Sequence, residues 1–335
     1  MSMDGTNISG TNDRIGVHYE ELKMPTKHSR RMGYWSRHWA LYAMLLLPMT
    51  FFFIFSYLPM VNILIAFTRN NIIATVFEVI RDGGWVGLDN FRGAFNHPQF
   101  MGAVRNTIMF SVLDLLVGFP APILLALLLN ELKMERFKKI TQTISYMPHF
   151  LSWIIIGGMA VRLFSNSHQA PGAINVVIYS LTGNTVPFLT EPVSWAIVNV
   201  GFAVWRSIGW NTIIYLAAIT NISPELYEAA DIDGASRIRK MWHVTLPGIR
   251  PVIVTLLILT IGGIMGADLA RYEAMGNPMV TEVSNVIPTF IFRWALQGNN
   301  FSLGAAMGIF QSIIGMALIL SGNWIVRKLG GNAFW

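Results

Sequence analysis

Between Arg37 and Arg69 the chain runs 31 residues without a formal charge. Its centre reads LLLPMTFFFIFSYLPM. A run this long and apolar covers the roughly 30 Å hydrocarbon layer of a bilayer as a helix. Five further blocks share the pattern: residues 107–130, with Asp114 inside; 144–161; 193–220, with Arg206 inside; 251–267; and 303–326. A transmembrane β-barrel needs ten-residue segments of alternating polarity between turns. These blocks are continuous instead, and read as helices. Composition agrees: 53% of residues are hydrophobic and 13% charged, against about 25% charged in soluble domains. Too few polar groups remain to clothe a water-soluble surface. The absence of cysteine excludes disulfide scaffolds and thiolate metal sites. The expected fold class is an all-α integral membrane protein with six transmembrane helices.

Lys and Arg orient the spans. Sixteen lie before the first span, after the second, after the fourth and at the C-terminus. Five, namely Arg69, Arg81, Arg92, Arg271 and Arg293, lie in the other loops. The positive-inside rule places both termini in the cytoplasm. The net charge of +6 reads as this bias and calls for no nucleic-acid partner. Residues 1–35 read as a polar, partly disordered cytoplasmic tail rather than a cleavable signal, since the apolar run starts late and is long. Residues 36–335 form the transmembrane domain. Short surface helices are expected at 174–181 and 287–294. Pro48, Pro59, Pro120, Pro122 and the Gly262–Gly263 pair break the spans. Such breaks suit a moving bundle, and are also common in membrane helices generally.

The cytoplasmic loop after the fourth span reads NISPELYEAADIDGASRIRKMWHVTLPGIR, residues 221–250. Ser223 is placed to cap a helix, Pro224 suits its first position, and Glu225 suits the positive end of its dipole. Gly234 permits a sharp turn into a second helix over 236–243, which Leu246-Pro247 ends. An exposed helix–turn–helix between two spans reads either as a docking element or as a loop packed on its own bundle.

Glu228-Ala229-Ala230, three residues, Gly234, nine residues, Val244, one residue and Leu246-Pro247 together match the EAA motif. The chain thereby resembles permeases of binding-protein-dependent ABC importers; Val244 stands where isoleucine is usual. FFFIFSYLPM, RNTIMFS, ALLLNEL and QTISYMPHFLSW resemble the oligosaccharide and polysaccharide branch, with its lipoprotein-associated and alginate-type transporters. The resemblance spans residues 35–335. It implies a pseudo-twofold pair with a second homologous permease, two cytoplasmic ATPase subunits, an extracellular solute-binding lipoprotein, and a bacterial cytoplasmic-membrane location. It implies a coupling loop over 221–249. There Glu228 contacts an ATPase, Ala229 and Ala230 allow close approach, Gly234 sets the turn, and Leu226 and Tyr227 fill an apolar groove. ATP and Mg would belong to the partner subunits.

The chain itself has no G-x-x-x-x-G-K-[ST], H-E-x-x-H or G-x-S-x-G pattern. No enzymatic activity is therefore expected of it, and no metal site, since its histidines are scattered. A saccharide path needs aromatic faces and polar rims. Trp205, Arg206, Trp210, Asn211 and Tyr215 on the fourth span are candidates, with Asn62 and Gln311 on the first and sixth. Arg206 and Asp114 are intramembrane charges, costly unless paired or facing a wet cavity. Either they pair with one another, or they touch the substrate. An importer for another polar solute is the alternative within transport. A stand-alone secondary transporter would leave the EAA loop unexplained and shows no inverted halves.

Overall fold

The computed structural model describes residues 27–69, 81, 84–167 and 169–328. The tail up to residue 26, most of the 70–83 segment and residues 329–335 lie outside the described residues, and with them most of the expected cytoplasmic tail. Among the described residues, extended pairing is confined to two isolated bridges, Thr68 with Trp85 and Asn166 with Pro171. The rest is helix and turn.

The chain divides into two compact units, up to Met60 and from Val61. The first carries α1 (Lys27–Phe52), followed by a π-helical turn at Phe53–Tyr57. The second carries α2 (Asp89–Phe95), α3 (Phe100–Leu113), α4 (Pro120–Asn130), α5 (Glu135–Tyr146) and α6 (Trp153–Phe164). It continues with α7 (Ala173–Thr182), α8 (Pro192–Thr220), α9 (Pro224–Ile232), α10 (Arg237–Lys240), α11 (Arg250–Gly262), α12 (Leu269–Met275) and α13 (Phe301–Lys328). The surface helix expected at 174–181 is α7. That expected at 287–294 is a helical turn at Ile287–Phe290 running into a π-helical stretch, Ile291–Gln297.

Among the described residues three helical segments are long and apolar enough to cross a membrane on their own: His38–Phe67, Phe100–Asn130 and Phe301–Lys328. Two bent pairs raise this to five if each is one span. In one, Glu135–Phe150 meets Trp153–Phe164 at 103°; in the other, Arg237–Gly248 meets Arg250–Gly262 at 61°. The apolar block read at 144–161 is therefore not one straight helix. It folds over at Leu151, whose backbone is extended, and restarts where Ser152 accepts the Ile155 amide as an N-cap. The 29 residues of α8 extend about 43 Å at 1.5 Å each, a bilayer's length, but Asn199, Arg206 and Asn211 interrupt its apolar run and it is not among the segments named above.

The exposure pattern is that of a protein solvated by lipid. Leu47, Ile154 and Leu181 are 76%, 81% and 79% exposed, which water would penalise and hydrocarbon does not. Polar groups turn inward, including Asn106, Thr107, Asn199, Thr212 and Arg271. Most buried polar groups find a partner; Asn175 Nδ2, for example, donates to the Phe164, Ser165 and Val186 carbonyls at 3.1, 3.0 and 3.0 Å, and its Oδ1 accepts the Val186 amide at 2.8 Å.

Three apolar clusters organise the second unit. One gathers Phe100, Phe290, Ala306 and Met307. A middle one gathers Phe110, Trp153, Trp195, Tyr272 and Met275. The third gathers Ile123, Tyr215, Ile219 and Ile249 beside the 221–250 loop. Between α3 and α4 the helix widens into a π turn, Asp114–Gly118. Pro120 and Pro122 follow, and neither offers an N–H to the carbonyls four residues back. This local break holds Asp114 beside the middle cluster.

Candidate functional site

Two regions gather the sequence-predicted residues. The first is the loop after α8. Its first helix, α9, buries none of its residues. Glu228 and Ala229 are exposed, Ala230 and Tyr227 half-buried. Leu226, Ile232, Ile238 and Trp242 are 55%, 88%, 66% and 58% exposed, an apolar set with acids interleaved. Ser223 makes no side-chain cap to α9, contrary to expectation; Pro224 and Glu225 carry that helix start instead. Gly234 reverses the chain at φ +71°, a conformation that disfavours any side chain. The Ala235 amide then closes back on the Ala230 carbonyl at 2.9 Å.

The second helical stretch runs further than the sequence suggested, unbroken from Arg237 to Gly248, so Leu246-Pro247 lies inside it rather than ending it. α10 ends at Lys240, a π turn takes Met241–Thr245, and Leu246–Gly248 completes the arm. Pro247 has no N–H to donate to the His243 carbonyl four residues back, so the ladder loosens just before the 61° bend into α11. Two cross-links make the loop one piece. Lys240 Nζ donates to Asp231 Oδ1 at 2.7 Å. The Tyr227 hydroxyl bonds Thr245 Oγ1 at 3.0 Å. Tyr227 is thus turned inward, toward the arm that leads into α11, rather than outward with Leu226. Leu246 packs on the third apolar cluster, and Pro247 is exposed.

The second region is a cavity of about 260 Å³ lined by Asp114, Trp153, Arg206, Asn211, Asp268 and Arg271, among others. Arg271 Nη1 donates to Asp114 Oδ2 at 2.6 Å, and Nη2 reaches Oδ1 at 3.3 Å. Its Nε donates to Asn199 Oδ1 at 2.8 Å. The bidentate pair neutralises Asp114, so the sequence-level pairing of Asp114 with Arg206 is replaced. Arg206 instead donates its Nε to the Leu151 carbonyl at 3.1 Å, at the fold between α5 and α6. Both guanidiniums lie near the Trp153 ring, 5.1 Å from its centroid for Arg206 and 5.9 Å for Arg271. Trp153 Nε1 donates to Asp268, whose other oxygen caps α12 through the Ala270 amide.

The backbone approach that makes this possible is set at Gly157. A Cβ there would run into the Ala274 carbonyl, so α12 can lie directly on α6. α12 belongs to the loop between the fifth and sixth apolar blocks, yet Arg271 and Tyr272 are buried, at 5% and 1% exposure. Burial drives the Tyr272 hydroxyl pKa up, offset only in part by Arg271.

The remaining path candidates scatter. Trp205 lines an apolar groove with Met159, Phe188 and Phe202. Trp210 stacks on His149 at 4.4 Å and 4°. Tyr215 belongs to the third cluster. Gln311 Nε2 donates to the Met265 carbonyl at 2.7 Å, and Asn62 is exposed. Sequence reasoning missed Arg271, Asp268 and Trp153 as members of the cavity, and Asn199 as the partner that holds Arg271 from behind. Arg271 counts there only as a loop charge; the signal available was Asp114 itself, an intramembrane acid in need of a cation. Among the described residues no group of three or more His, Asp or Glu is arranged to hold a metal.

Residues 99–331 match the family described as binding-protein-dependent transport system inner membrane component. The chain belongs to this family. It is 39% identical over 295 residues to the polygalacturonan/rhamnogalacturonan transport system permease protein YteP of Bacillus subtilis (strain 168), covering 88% of this chain and 90% of that protein. It is also similar to a chain in the crystal structure of a bacterial ABC transporter involved in the import of the acidic polysaccharide alginate. There the TM-score is 0.80 at 36% identity, over 89% of this chain and 99% of that one. A second such structure, of a bacterial alginate ABC transporter in complex with alginate pentasaccharide-bound periplasmic protein, gives 0.80 at 35% identity over 91% and 99%.

Proposed function

We propose that this inner membrane component is the permease subunit of an ATP-driven importer for oligosaccharides or polysaccharides. The exposed, cross-linked α9 arm carries this reading, supported by family membership and by relatives whose names specify polysaccharide transport. Six spans with both termini cytoplasmic fit the family and the Lys/Arg bias. The spans are those read from the sequence, with the third and fifth bent and the fourth made by α8. A second homologous permease completes the path. Two cytoplasmic ATPase subunits bind and hydrolyse ATP with Mg, and an extracellular solute-binding lipoprotein delivers the saccharide. The membrane is the bacterial cytoplasmic membrane.

In this reading α9 seats on an ATPase. Leu226 enters an apolar groove, Glu228 meets polar groups, and Ala229 allows close approach. Tyr227 and Asp231 pass the motion on, because their bonds to Thr245 and Lys240 tie α9 to the arm entering α11. Closure of the ATPase dimer binds one arrangement of this arm better than the other, and so shifts the population between inward-open and outward-open states. The Glu228→Lys variant tests it. Expression and membrane insertion should persist, while ATP hydrolysis in reconstituted vesicles no longer drives saccharide uptake. Wild-type uptake per ATP in that variant would sink the docking assignment.

A further inference from the structure

The polar cavity contains two guanidiniums and two carboxylates, but only one of the cations is matched to an acid. Arg271 is held by Asp114 on two nitrogens and by Asn199 on the third. Asp268 is occupied on both oxygens, by the Trp153 indole and the Ala270 amide. Arg206 uses one of its five N–H donors on the Leu151 carbonyl. Its other four N–H groups have no protein acceptor among the described residues, and no carboxylate lies within ion-pair distance of it there. Such a cation within a membrane-spanning helix is sustained by facing a wet cavity or by an anion, and Arg206 lines the cavity.

The side chain is also held in place. Its Nε bond to Leu151 anchors it at the fold between α5 and α6, and the Trp153 ring lies 5.1 Å from its guanidinium carbon. Trp153 in turn is fixed by Asp268. A guanidinium so braced presents its two Nη groups as a preorganised fork, the geometry that takes a carboxylate bidentately. The cavity of about 260 Å³ has the volume of several waters at roughly 30 Å³ each, enough for the carboxyl-bearing edge of one sugar unit.

We infer that Arg206 is a carboxylate-binding site on the translocation path, and that the saccharides carried include units bearing a carboxyl group. The inference rests on the saccharide-importer reading above and deepens it by naming the charge of the substrate.

The test uses the complete importer, reconstituted in vesicles with its partner permease, ATPase and binding protein. Two probes are compared: a trisaccharide of galacturonate, and the same trisaccharide with its carboxyl groups reduced to alcohols. Initial ATP-driven uptake is measured for wild type, Arg206→Gln and Arg206→Lys. The expectation is that Arg206→Gln lowers uptake of the acidic probe at least about ten-fold, the scale of a lost charge-assisted bidentate contact. Uptake of the reduced probe should stay within about two-fold, and Arg206→Lys should recover part of the loss because it keeps the charge but not the fork. An equal fall for both probes would make Arg206 a structural residue and overturn the inference, as would no fall for either. Wild-type uptake of the reduced probe alone would overturn it while leaving the importer reading intact. Wild-type uptake of neither probe, with uptake of a neutral oligosaccharide instead, would overturn the inference and leave the importer reading intact, whereas no ATP-driven uptake of any saccharide would remove that reading too. Arg206→Lys, the milder change, supplies the same comparison should Arg206→Gln fail to assemble.

Discussion

Replacing Arg271 by methionine leaves the Asp114 carboxylate without its cation. Replacing Asp114 by leucine leaves the Arg271 guanidinium without its anion. The two costs differ because the two side chains are unequally buried, 6% exposed for Arg271 and 37% for Asp114. Breaking a buried pair from one side typically costs about 3–5 kcal/mol. Asp114 opens to the cavity, where water relieves part of its penalty, so Arg271→Met should cost about 2 kcal/mol. Asp114→Leu strands the more buried ion and should cost about 3–4 kcal/mol, with Asn199 still holding Nε. In the double variant neither charge remains, and the loss should fall short of the sum by about 2 kcal/mol. Thermal unfolding of the purified importer in detergent reads these values. At about 2 °C per kcal/mol for a chain of this size, the single variants should lose roughly 4 and 7 °C. The matching cycle between Asp114 and Arg206 is the control, with coupling expected below about 0.5 kcal/mol. Additive losses for the Asp114–Arg271 cycle, or a larger coupling to Arg206, would refute the assigned pairing.

Tyr227→Phe removes only the hydroxyl bonded to Thr245 and should cost about 1 kcal/mol locally. Uptake per ATP should fall while ATPase recruitment, measured by co-purification, stays intact; loss of recruitment would mean Tyr227 faces the ATPase after all. Gly157→Val drives a side chain into the Ala274 carbonyl and should destabilise the α6–α12 contact by about 1–3 kcal/mol. Proteolysis of the 266–302 loop in intact membranes should speed up in that variant, and unchanged cleavage would argue against a tight seat for α12.

The helices are legible in the sequence because each depends on a local quantity. A run without charge from Arg37 to Arg69 reads as membrane-spanning whatever else the chain does. The α9 turn is legible because Gly234 needs a positive φ that few residues tolerate. The Ser223 cap and the length of the second loop helix depart from expectation for a related reason. Caps and helix ends turn on small local geometry, and here a π turn at Met241–Thr245 carries the helical backbone past the expected end as far as Gly248.

Pairing of the buried charges is another matter. Asp114 announces a need for a cation but does not name it. Arg206 stands closest in character, within an apolar block; Arg271 stands in a loop, 157 residues from its partner. Only folding brings α12 down onto α6, through the side-chain-free surface at Gly157, and so turns a loop arginine into a buried one. The sequence by itself determined the membrane class, the apolar blocks and the loop motif, because transfer into hydrocarbon and turn geometry act segment by segment. The tertiary structure decided which charges neutralise one another and which is left facing the cavity, because an ion pair depends on distances across the fold and falls away within a few ångströms.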